Sequence, residues 1–224
     1  MTGAPALLLL DLDGVCALET TLAGESVVEI FKLHEGLGEE IAALDFPVAV
    51  ITHRSRKEAL RILSAIGVNI GGMRGVFTAE DFLFASLGKP LDLFRRGLKK
   101  SAALPAIERK FGIGRARMAI IDDRDDVLQD LRSNGLGLCM QAPGQIAEPA
   151  DGLVSFEFSE AVRVFMEWRQ TGQVCPEIRR LTPLAVFAAH PRRTGKNTHA
   201  SKLTVFSTVR RIARYARNLR RAPG

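Results

Sequence analysis

Two carboxylates, separated by one residue, stand at the end of an apolar run near the start of the chain. Asp11 and Asp13 follow four consecutive leucines, and Gly14 comes next. A short apolar run that ends in turn residues predicts a buried strand, and alternation along an extended chain points both carboxylates to the same side. One could attack phosphorus while the other donates a proton to the leaving oxygen and later activates water. A polar turn without chemistry is the alternative.

A second acidic group follows another apolar run, which spans residues 118–121. It places four carboxylates within five successive positions, namely Asp122, Asp123, Asp125 and Asp126. Such carboxylates repel one another unless a cation lies among them or most of them face water. Mg²⁺ is the expected cation, because it binds through few carboxylates together with waters and phosphate oxygens. The alternative is a solvated acidic loop in which Asp125 caps a helix.

A third apolar run spans residues 48–51, and the three residues that follow it could bind an anionic group. The hydroxyl of Thr52 and neighbouring backbone N–H groups are suited to hold phosphoryl oxygens. Arg54 could grip a phosphate with its planar guanidinium, and His53 is the weakest candidate of the three. The alternatives are a turn or helix N-cap for Thr52 and a solvated loop position for Arg54.

The residues from Asp11 to Val15 resemble the first motif of the haloacid dehalogenase superfamily, Asp-x-Asp-Gly-(Thr/Val). The resemblance implies that Asp11 is the nucleophile. It implies that Asp13 is the general acid and base and also reaches the metal through its backbone carbonyl. A magnesium-dependent phosphohydrolase that forms an aspartyl-phosphate is therefore expected, and the second Asp argues against a dehalogenase.

The same resemblance implies that Thr52 is the second motif and that a lysine forms the third. This lysine would offset the negative charge of the nucleophile and the phosphoryl group. Lys100 is our choice, because it opens an amphipathic helix that leads to the apolar run at 118–121. Lys89, in a Gly-Lys-Pro sequence, is a serious rival, and Lys99 is a weaker one.

The acidic cluster also resembles, more narrowly, the phosphatase half of polynucleotide kinase-phosphatases. The residues that carry this likeness are Asp122, Asp123, Arg124, Val127, Leu128, Arg132 and Gly135. The likeness implies that Asp122 and Asp123 are the acids of the metal site, and it makes nucleic-acid ends a candidate substrate. Other members of the superfamily place a further acid four positions after the metal-binding Asp, which makes Asp126 a second choice.

The order of apolar runs and amphipathic stretches predicts an α/β fold with a doubly wound, mostly parallel sheet, which is the Rossmann-like fold of that superfamily. Strands are predicted at residues 6–10, 48–51, 118–121, 136–140 and 153–156. Helices are predicted at residues 56–66, 79–87, 91–98, 102–111, 125–134 and 160–170. Residues 1–170 form the predicted catalytic domain. The intervals between motifs leave no space for a large cap domain, and by resemblance such capless members act on large or exposed substrates.

Charge is distributed unevenly along the 224 residues, whose formal net charge is +6. Residues 191–224 contain ten Arg or Lys and no Asp or Glu, which leaves 21 basic and 25 acidic residues in 1–190. The pattern predicts a basic amphipathic helix at 203–221, joined to the domain by a linker or short helix at 171–202. Such a helix could contact nucleic acid or an anionic membrane, or pack on its own domain.

Three cysteines at wide spacing, Cys16, Cys139 and Cys175, form no Cys-x-x-Cys motif. They predict a protein of the reducing cytoplasm, with peripheral membrane attachment through the basic helix as a variant. The expected partners are Mg²⁺ and a phosphorylated substrate, with a macromolecular substrate as one version. The rival hypothesis is a binding protein without catalytic activity, which keeps this fold and engages nucleic acid or membrane through the arginine-rich helix.

Overall fold

The computed structural model of the chain describes residues 5–21, 28–69, 73–87, 97–144 and 153–186. The strands are β1 (Leu7–Leu10), β2 (Ala17–Thr21), β3 (Val28–Lys32), β4 (Val48–Ile51), β5 (Gly75–Phe77), β6 (Met118–Asp122), β7 (Leu138–Gln141), β8 (Leu153–Ser155), β9 (Ile178–Arg180) and β10 (Leu184–Val186). The α-helices are α1 (Leu37–Ala42), α2 (Arg56–Ala65), α3 (Ala79–Ser86), α4 (Leu104–Phe111), α5 (Asp125–Ser133) and α6 (Phe158–Thr171). Short 3₁₀ turns lie at Lys100–Ala103 and Arg115–Arg117.

Six parallel strands form the central sheet, in the order β5-β4-β1-β6-β7-β9. Leu8 on β1 pairs with Val48 on β4 and with Ala119 on β6. The chain winds outward from β1 in one direction and then returns to the other side of β1 with β6. This reversal leaves a crevice at the carboxyl ends of β1 and β6, which is where open α/β sheets bind ligands. The predicted doubly wound parallel sheet is confirmed.

Alternation along β1 sends its four leucines into two separate cores. Leu8 and Leu10 pack in a core with α1, α2 and α6, whereas Leu7 and Leu9 pack in a core with α3, α4 and α5. All four leucines are fully buried. Because helices cover both faces of the sheet, the strand that leads to Asp11 is fixed from both sides.

The loop between β4 and α2 is held at both of its ends. On one side lies β4, all of whose residues are buried. On the other side, Ser55 is the N-cap of α2 and forms a capping box with Glu58, in which the Ser55 hydroxyl accepts the Glu58 N–H and the Glu58 carboxylate accepts the Ser55 N–H. A capping box satisfies backbone donors that a helix start leaves unpaired. The three residues 52–54 between these anchors therefore have a defined position.

Several elements differ from the sequence prediction. The hairpin β2–β3 pairs antiparallel and was not predicted. Strand β7 begins at Leu138 rather than at residue 136, because the Gly137 N–H donates to the carbonyls of Arg115 and Met118, each at 3.1 Å. Strand β9 lies in the stretch predicted as a linker or short helix, and it pairs with β7 at the edge of the main sheet.

Other predictions fall on parts of the chain that are not described. The described residues do not include Lys89, most of the helix predicted at 91–98, or the basic helix predicted at 203–221. The chain divides into two units, Met1–His190 and Pro191–Gly224. Within the described ranges, none of the helices has the length and apolar character needed to cross a bilayer.

Candidate active site

Asp11 follows directly on the carboxyl end of β1. Its N–H donates to the Ile121 carbonyl at 2.9 Å, so the pairing between β1 and β6 continues to the site itself. The Asp11 side chain is 8% exposed, and its Oδ1 accepts the Leu12 N–H at 2.8 Å. The carboxylate therefore has a fixed orientation at the end of the central strand.

Lys100 lies between two buried carboxylates. Its Nζ is 2.7 Å from Asp11 Oδ1 and 2.7 Å from Asp122 Oδ2, and its side chain is 1% exposed. Burial disfavours the charged form of a lysine, but the attraction of the two carboxylates outweighs it and raises the pKa of Lys100 above its usual value. Of the two candidate lysines among the described residues, Lys99 and Lys100, it is Lys100 that contacts the acids. Lys99 instead pairs with Asp130.

Three carboxylates form a group that could hold a metal ion. Asp11, Asp122 and Asp123 each offer one oxygen, and these oxygens lie within 4.8 Å of one another. Burial raises the pKa of Asp11 to about 7; Lys100 opposes this rise and Asp122 adds to it. Burial and the charge of Asp122 likewise raise the pKa of Asp123. The group has more negative charge than one ammonium can balance, and a divalent cation is suited to supply the remainder.

Gly14 allows Asp123 to reach this group. Its φ of 74° lies in the left-handed region, which side chains other than hydrogen disfavour. A Cβ at this position would stand 2.4 Å from Asp123 Oδ2, so a larger residue would displace the carboxylate. The glycine of the first predicted motif is thus required for both its backbone conformation and its small size.

Thr52 is fully buried at the carboxyl end of β4. Its N–H donates to the Phe77 carbonyl at 2.9 Å, and its hydroxyl oxygen accepts the Arg54 N–H at 3.2 Å. Its hydroxyl proton can then be directed to a further acceptor. The alternative of a helix N-cap does not apply, because Ser55 has that position at the start of α2.

Arg54 binds Asp13 with two nitrogens. Nε lies 2.9 Å from Oδ2 and NH2 lies 2.8 Å from Oδ1, while NH1 donates to Glu19 on β2. The side chains of Arg54 and Asp13 are 29% and 39% exposed, so this pair faces solvent more than Asp11 does. Arg54, which was predicted to bind phosphate, therefore binds Asp13 in this structure, and Asp13 was predicted to act as both general acid and general base.

His53 and Asp126 are not members of the carboxylate group. His53 is exposed, its Nε2 lies 3.0 Å from the Leu98 carbonyl, and its ring packs edge-on against Phe82. Although the residue as a whole is exposed, the protein around its ring disfavours the charged form and, together with the positive charge of Lys100, lowers the pKa of His53. Asp126, the second choice as a metal ligand, has a side chain that is 71% exposed and pairs with Arg124 at 2.7 Å.

A hydrogen bond within the loop after β6 fixes the Asp122 side chain. The Asp122 Oδ1 accepts the Arg124 N–H at 3.0 Å, which leaves Oδ2 for Lys100. Arg124 is the N-cap residue of α5 without a side-chain cap, so Asp125 lies in the first turn and is not the cap itself. Acidic residues in a first turn are favoured by the helix dipole. The acidic run thus divides into two site residues and two exposed helix residues.

Two further residues near the site have different roles. Cys16 donates its thiol to the Asp11 carbonyl at 3.1 Å, and burial raises its pKa, so it stays a thiol and supports the loop. Glu19 was not predicted, because a single glutamate on an unpredicted hairpin has no signal in the sequence. Its side chain is 11% exposed and accepts from both Arg54 and Arg61.

No family model matches the chain, and no curated protein matches it. Solved structures that are similar to it include 3-deoxy-D-manno-octulosonate 8-phosphate phosphatase from Moraxella catarrhalis, in complex with magnesium, phosphate and KDO. That structure is 20% identical, the match covers 64% of this chain and 70% of the other, and the TM-score is 0.42.

Two more similar structures are a haloacid dehalogenase-like family hydrolase from Streptococcus pneumoniae and the cobalt-bound deoxy-D-mannose-octulosonate 8-phosphate phosphatase from Haemophilus influenzae. The first is 10% identical, with 61% of this chain and 84% of the other covered and a TM-score of 0.43. The second is 19% identical, with 61% of this chain and 68% of the other covered and a TM-score of 0.39. At these identities and TM-scores, the function of the chain rests on the side chains of its own site.

Proposed function

We propose that this protein is a magnesium-dependent phosphohydrolase that acts on phosphate monoesters through an aspartyl-phosphate. The observation that carries the proposal is the position of Lys100, which lies buried between Asp11 and Asp122. A buried lysine held by two carboxylates loses hydration that an apolar residue of similar volume would not lose, so packing alone does not require it. It does serve a reaction in which a carboxylate meets a phosphoryl group.

Asp11 is the nucleophile in this proposal. Lys100 and the Leu12 N–H both bind Oδ1, so the carboxylate is held in one orientation and Oδ2 is the oxygen we assign to the attack. Formation of the bond from Oδ2 to phosphorus breaks the bond from phosphorus to the ester oxygen. Water then hydrolyses the acyl-phosphate and restores the carboxylate.

A magnesium ion fits the group formed by Asp11, Asp122 and Asp123, and we assign these three residues to hold it. When bound, the ion supplies charge neutralisation on the phosphoryl oxygens. Lys100 adds a fixed positive charge beside the nucleophile, and we assign the hydroxyl of Thr52, at the end of the neighbouring strand β4, to donate to a phosphoryl oxygen. These groups are oriented before substrate arrives, because the sheet and its loops hold them.

Asp13 is the general acid and base in this proposal. It donates its proton to the leaving alcohol oxygen and then accepts a proton from the attacking water. Its partly exposed side chain suits a group that must meet both a leaving group and water. Arg54, which binds Asp13 in this structure, is assigned to bind the phosphoryl group of the substrate.

The substrate class that we propose is the phosphorylated end of a nucleic acid. The support is the charge of residues 191–224, ten basic and no acidic residues, which suits contact with a phosphate backbone. Such contact weakens steeply with salt because counterions are released on binding. An anionic membrane surface is the alternative partner, and vesicle binding separates the two.

The test of the proposed activity is hydrolysis of p-nitrophenyl phosphate with Mg²⁺ and with excess chelator. Turnover should need Mg²⁺ and should be lost in Asp11→Asn, because an amide cannot form the acyl-phosphate. The control is Asp45→Asn, a surface acid whose side chain is 73% exposed. Near-normal activity of Asp11→Asn would contradict the nucleophile assignment. Absence of turnover, together with nucleic-acid binding that is lost when residues 191–224 are removed, would favour a non-catalytic binding protein.

A further inference from the structure

Glu19 is a mostly buried carboxylate whose partners come from another part of the chain. Its Oε2 accepts from Arg54 NH1 and its Oε1 accepts from NH2 of Arg61, on α2. Burial of a carboxylate is costly unless it is paired, and the two arginines supply that pairing. One side chain of the β2–β3 hairpin thus connects the hairpin to α2 and to the site.

Arg54 stands between two acids and binds them with different nitrogens. Nε and NH2 hold the two oxygens of Asp13, whereas NH1 holds Glu19. The two contacts are therefore separable, and the one to Glu19 can persist when the one to Asp13 breaks.

The fork of Arg54 fits a carboxylate and a phosphate equally well, because both present two oxygens in one plane. While it holds Asp13, the same two nitrogens cannot bind a phosphoryl group. A phosphoryl group can therefore bind these two nitrogens only after Arg54 has released Asp13.

We propose that Glu19 is a positioning residue that keeps Arg54 in place while the guanidinium fork exchanges Asp13 for a phosphoryl group. The proposal rests on the proposed function and deepens it. Substrate binding then has two effects at once: the phosphoryl group gains the hydrogen bonds of Arg54, and the Asp13 carboxylate loses them. The purely structural role, in which Glu19 only holds the hairpin on α2 through Arg61, makes different predictions.

The experiment measures binding of inorganic phosphate to the full chain in the presence of Mg²⁺, together with KM and kcat for p-nitrophenyl phosphate. Glu19→Gln should weaken phosphate binding and raise KM by roughly five- to tenfold, as for loss of one ordinary hydrogen bond, with kcat changed less than KM. Arg61→Gln leaves the contact between Glu19 and Arg54 intact and should change neither value. Glu108→Gln, which breaks a surface pair with Arg115, is the matched control.

Two further variants test the exchange itself. In an Arg54→Ala background, Glu19→Gln should have no additional effect on phosphate binding, since it acts through Arg54. Asp13→Asn should bind phosphate more tightly than the wild type, because the competitor for the arginine is weakened. That gain should shrink in the Arg54→Ala background. If Glu19→Gln does not fold, Glu19→Asp, which keeps the charge on a shorter side chain, should show a smaller change in the same direction.

Each outcome decides between the proposals. If Arg61→Gln reproduces the effect of Glu19→Gln, or if the effect persists without Arg54, the positioning role is overturned. If the protein hydrolyses the ester and Glu19→Gln matches Glu108→Gln, the positioning role alone fails. If the protein binds phosphate with the expected differences but hydrolyses nothing, the proposed function alone fails. A wild-type protein that binds no phosphate with Mg²⁺ contradicts both.

Discussion

The site has two sides that are built from the same kinds of residue and differ in their exposure. The inner network, Asp11, Lys100 and Asp122, has side chains that are 0–8% exposed. The outer network, Asp13, Arg54 and Glu19, has side chains that are 11–39% exposed. Both place a cation between two carboxylates. Ion pairs are weakly stabilising near water, whereas breaking a buried pair leaves a charge without a partner.

This difference in exposure indicates which groups can change partners during a reaction. The inner network cannot exchange partners cheaply, so it suits groups that must stay fixed, a nucleophile and the acids of a metal site. The outer network can exchange partners at low cost, so it suits groups that must meet substrate and water. Three predictions test how firmly the groups of the site are held, and a fourth concerns a histidine outside both networks.

Removal of the cation from the inner network should have the largest effect. Lys100→Met should lower the free energy of unfolding by about 3–5 kcal/mol in the absence of Mg²⁺, because it leaves two buried carboxylates together. Denaturant unfolding measures this change. Lys99→Met, which removes a partly exposed pair with Asp130, is the control and should cost less than about 1 kcal/mol. Equal losses in the two variants would show that the inner network is not energetically distinct.

Displacement of Asp123 should have the next largest effect. Gly14→Ala should weaken Mg²⁺ binding and destabilise the protein, because the new Cβ meets Asp123 Oδ2 at 2.4 Å. Gly112→Ala is the matched control, since Gly112 also has positive φ, 64°, but no neighbouring atom within 4 Å of a built Cβ. Both variants should lose about 1–2 kcal/mol from the backbone conformation. Only Gly14→Ala should lose Mg²⁺ affinity in calorimetry, and an unchanged affinity would remove Asp123 from the metal site.

Loss of the cation from the outer network should affect stability little. Arg54→Gln should lower the free energy of unfolding by less than about 1 kcal/mol, as for other partly exposed pairs, while KM for the ester rises. Arg115→Gln, which removes a surface pair with Glu108, should give a similar loss of stability without a change in KM. A loss from Arg54→Gln as large as that from Lys100→Met would end the distinction between the two networks.

The smallest effect should come from His34, which lies outside both networks and makes the stability of the fold depend on pH. Burial lowers the pKa of His34, which donates from Nε2 to the Val15 carbonyl at 2.8 Å and lies against Phe156. The folded state therefore binds fewer protons at this residue than the unfolded state. Its contribution to stability is present above about pH 6.5, the ordinary histidine pKa, and is lost as the pH falls below that value.

The test for His34 is the melting temperature at about pH 7.5 and about pH 5.5, a range in which an ordinary histidine gains its charge. His34→Gln keeps a side-chain donor but has no titration there, so its melting temperature should fall less on acidification than that of the wild type. An equal fall in both proteins would show that His34 is charged in the folded state or that its burial has no energetic consequence.

The sequence predicts the parts of the fold that depend on short apolar runs. Val48–Ile51 has the predicted bounds, and β1 and β6 lie within one residue of theirs at each end. Buried parallel strands are recognisable because both faces need apolar residues. The hairpin β2–β3 and the edge strand β9 were missed, because neither is continuously apolar and Arg179 and Arg180 in β9 are exposed.

For the site, the sequence predicts which residues approach one another but not which partners they take. The structure brings Lys100 into contact with Asp11 and Asp122, as expected from the positions of these residues at strand and helix ends. The pairing of Arg54 with Asp13 and the presence of Glu19 depend on side-chain conformation and on a hairpin without a clear pattern. Such contacts are decided by tertiary packing, which a sequence pattern does not encode.

The central position of β1 has a consequence for how the chain folds during its synthesis. This strand leaves the ribosome first among the sheet strands, yet its partner residues at Leu8 lie 40 and 111 positions later, at Val48 and Ala119. At about 5–20 residues per second, completion of that second pairing waits roughly 6–22 s. During this time four consecutive leucines lack one strand partner in the nascent chain, and an unpaired apolar strand edge is prone to aggregation.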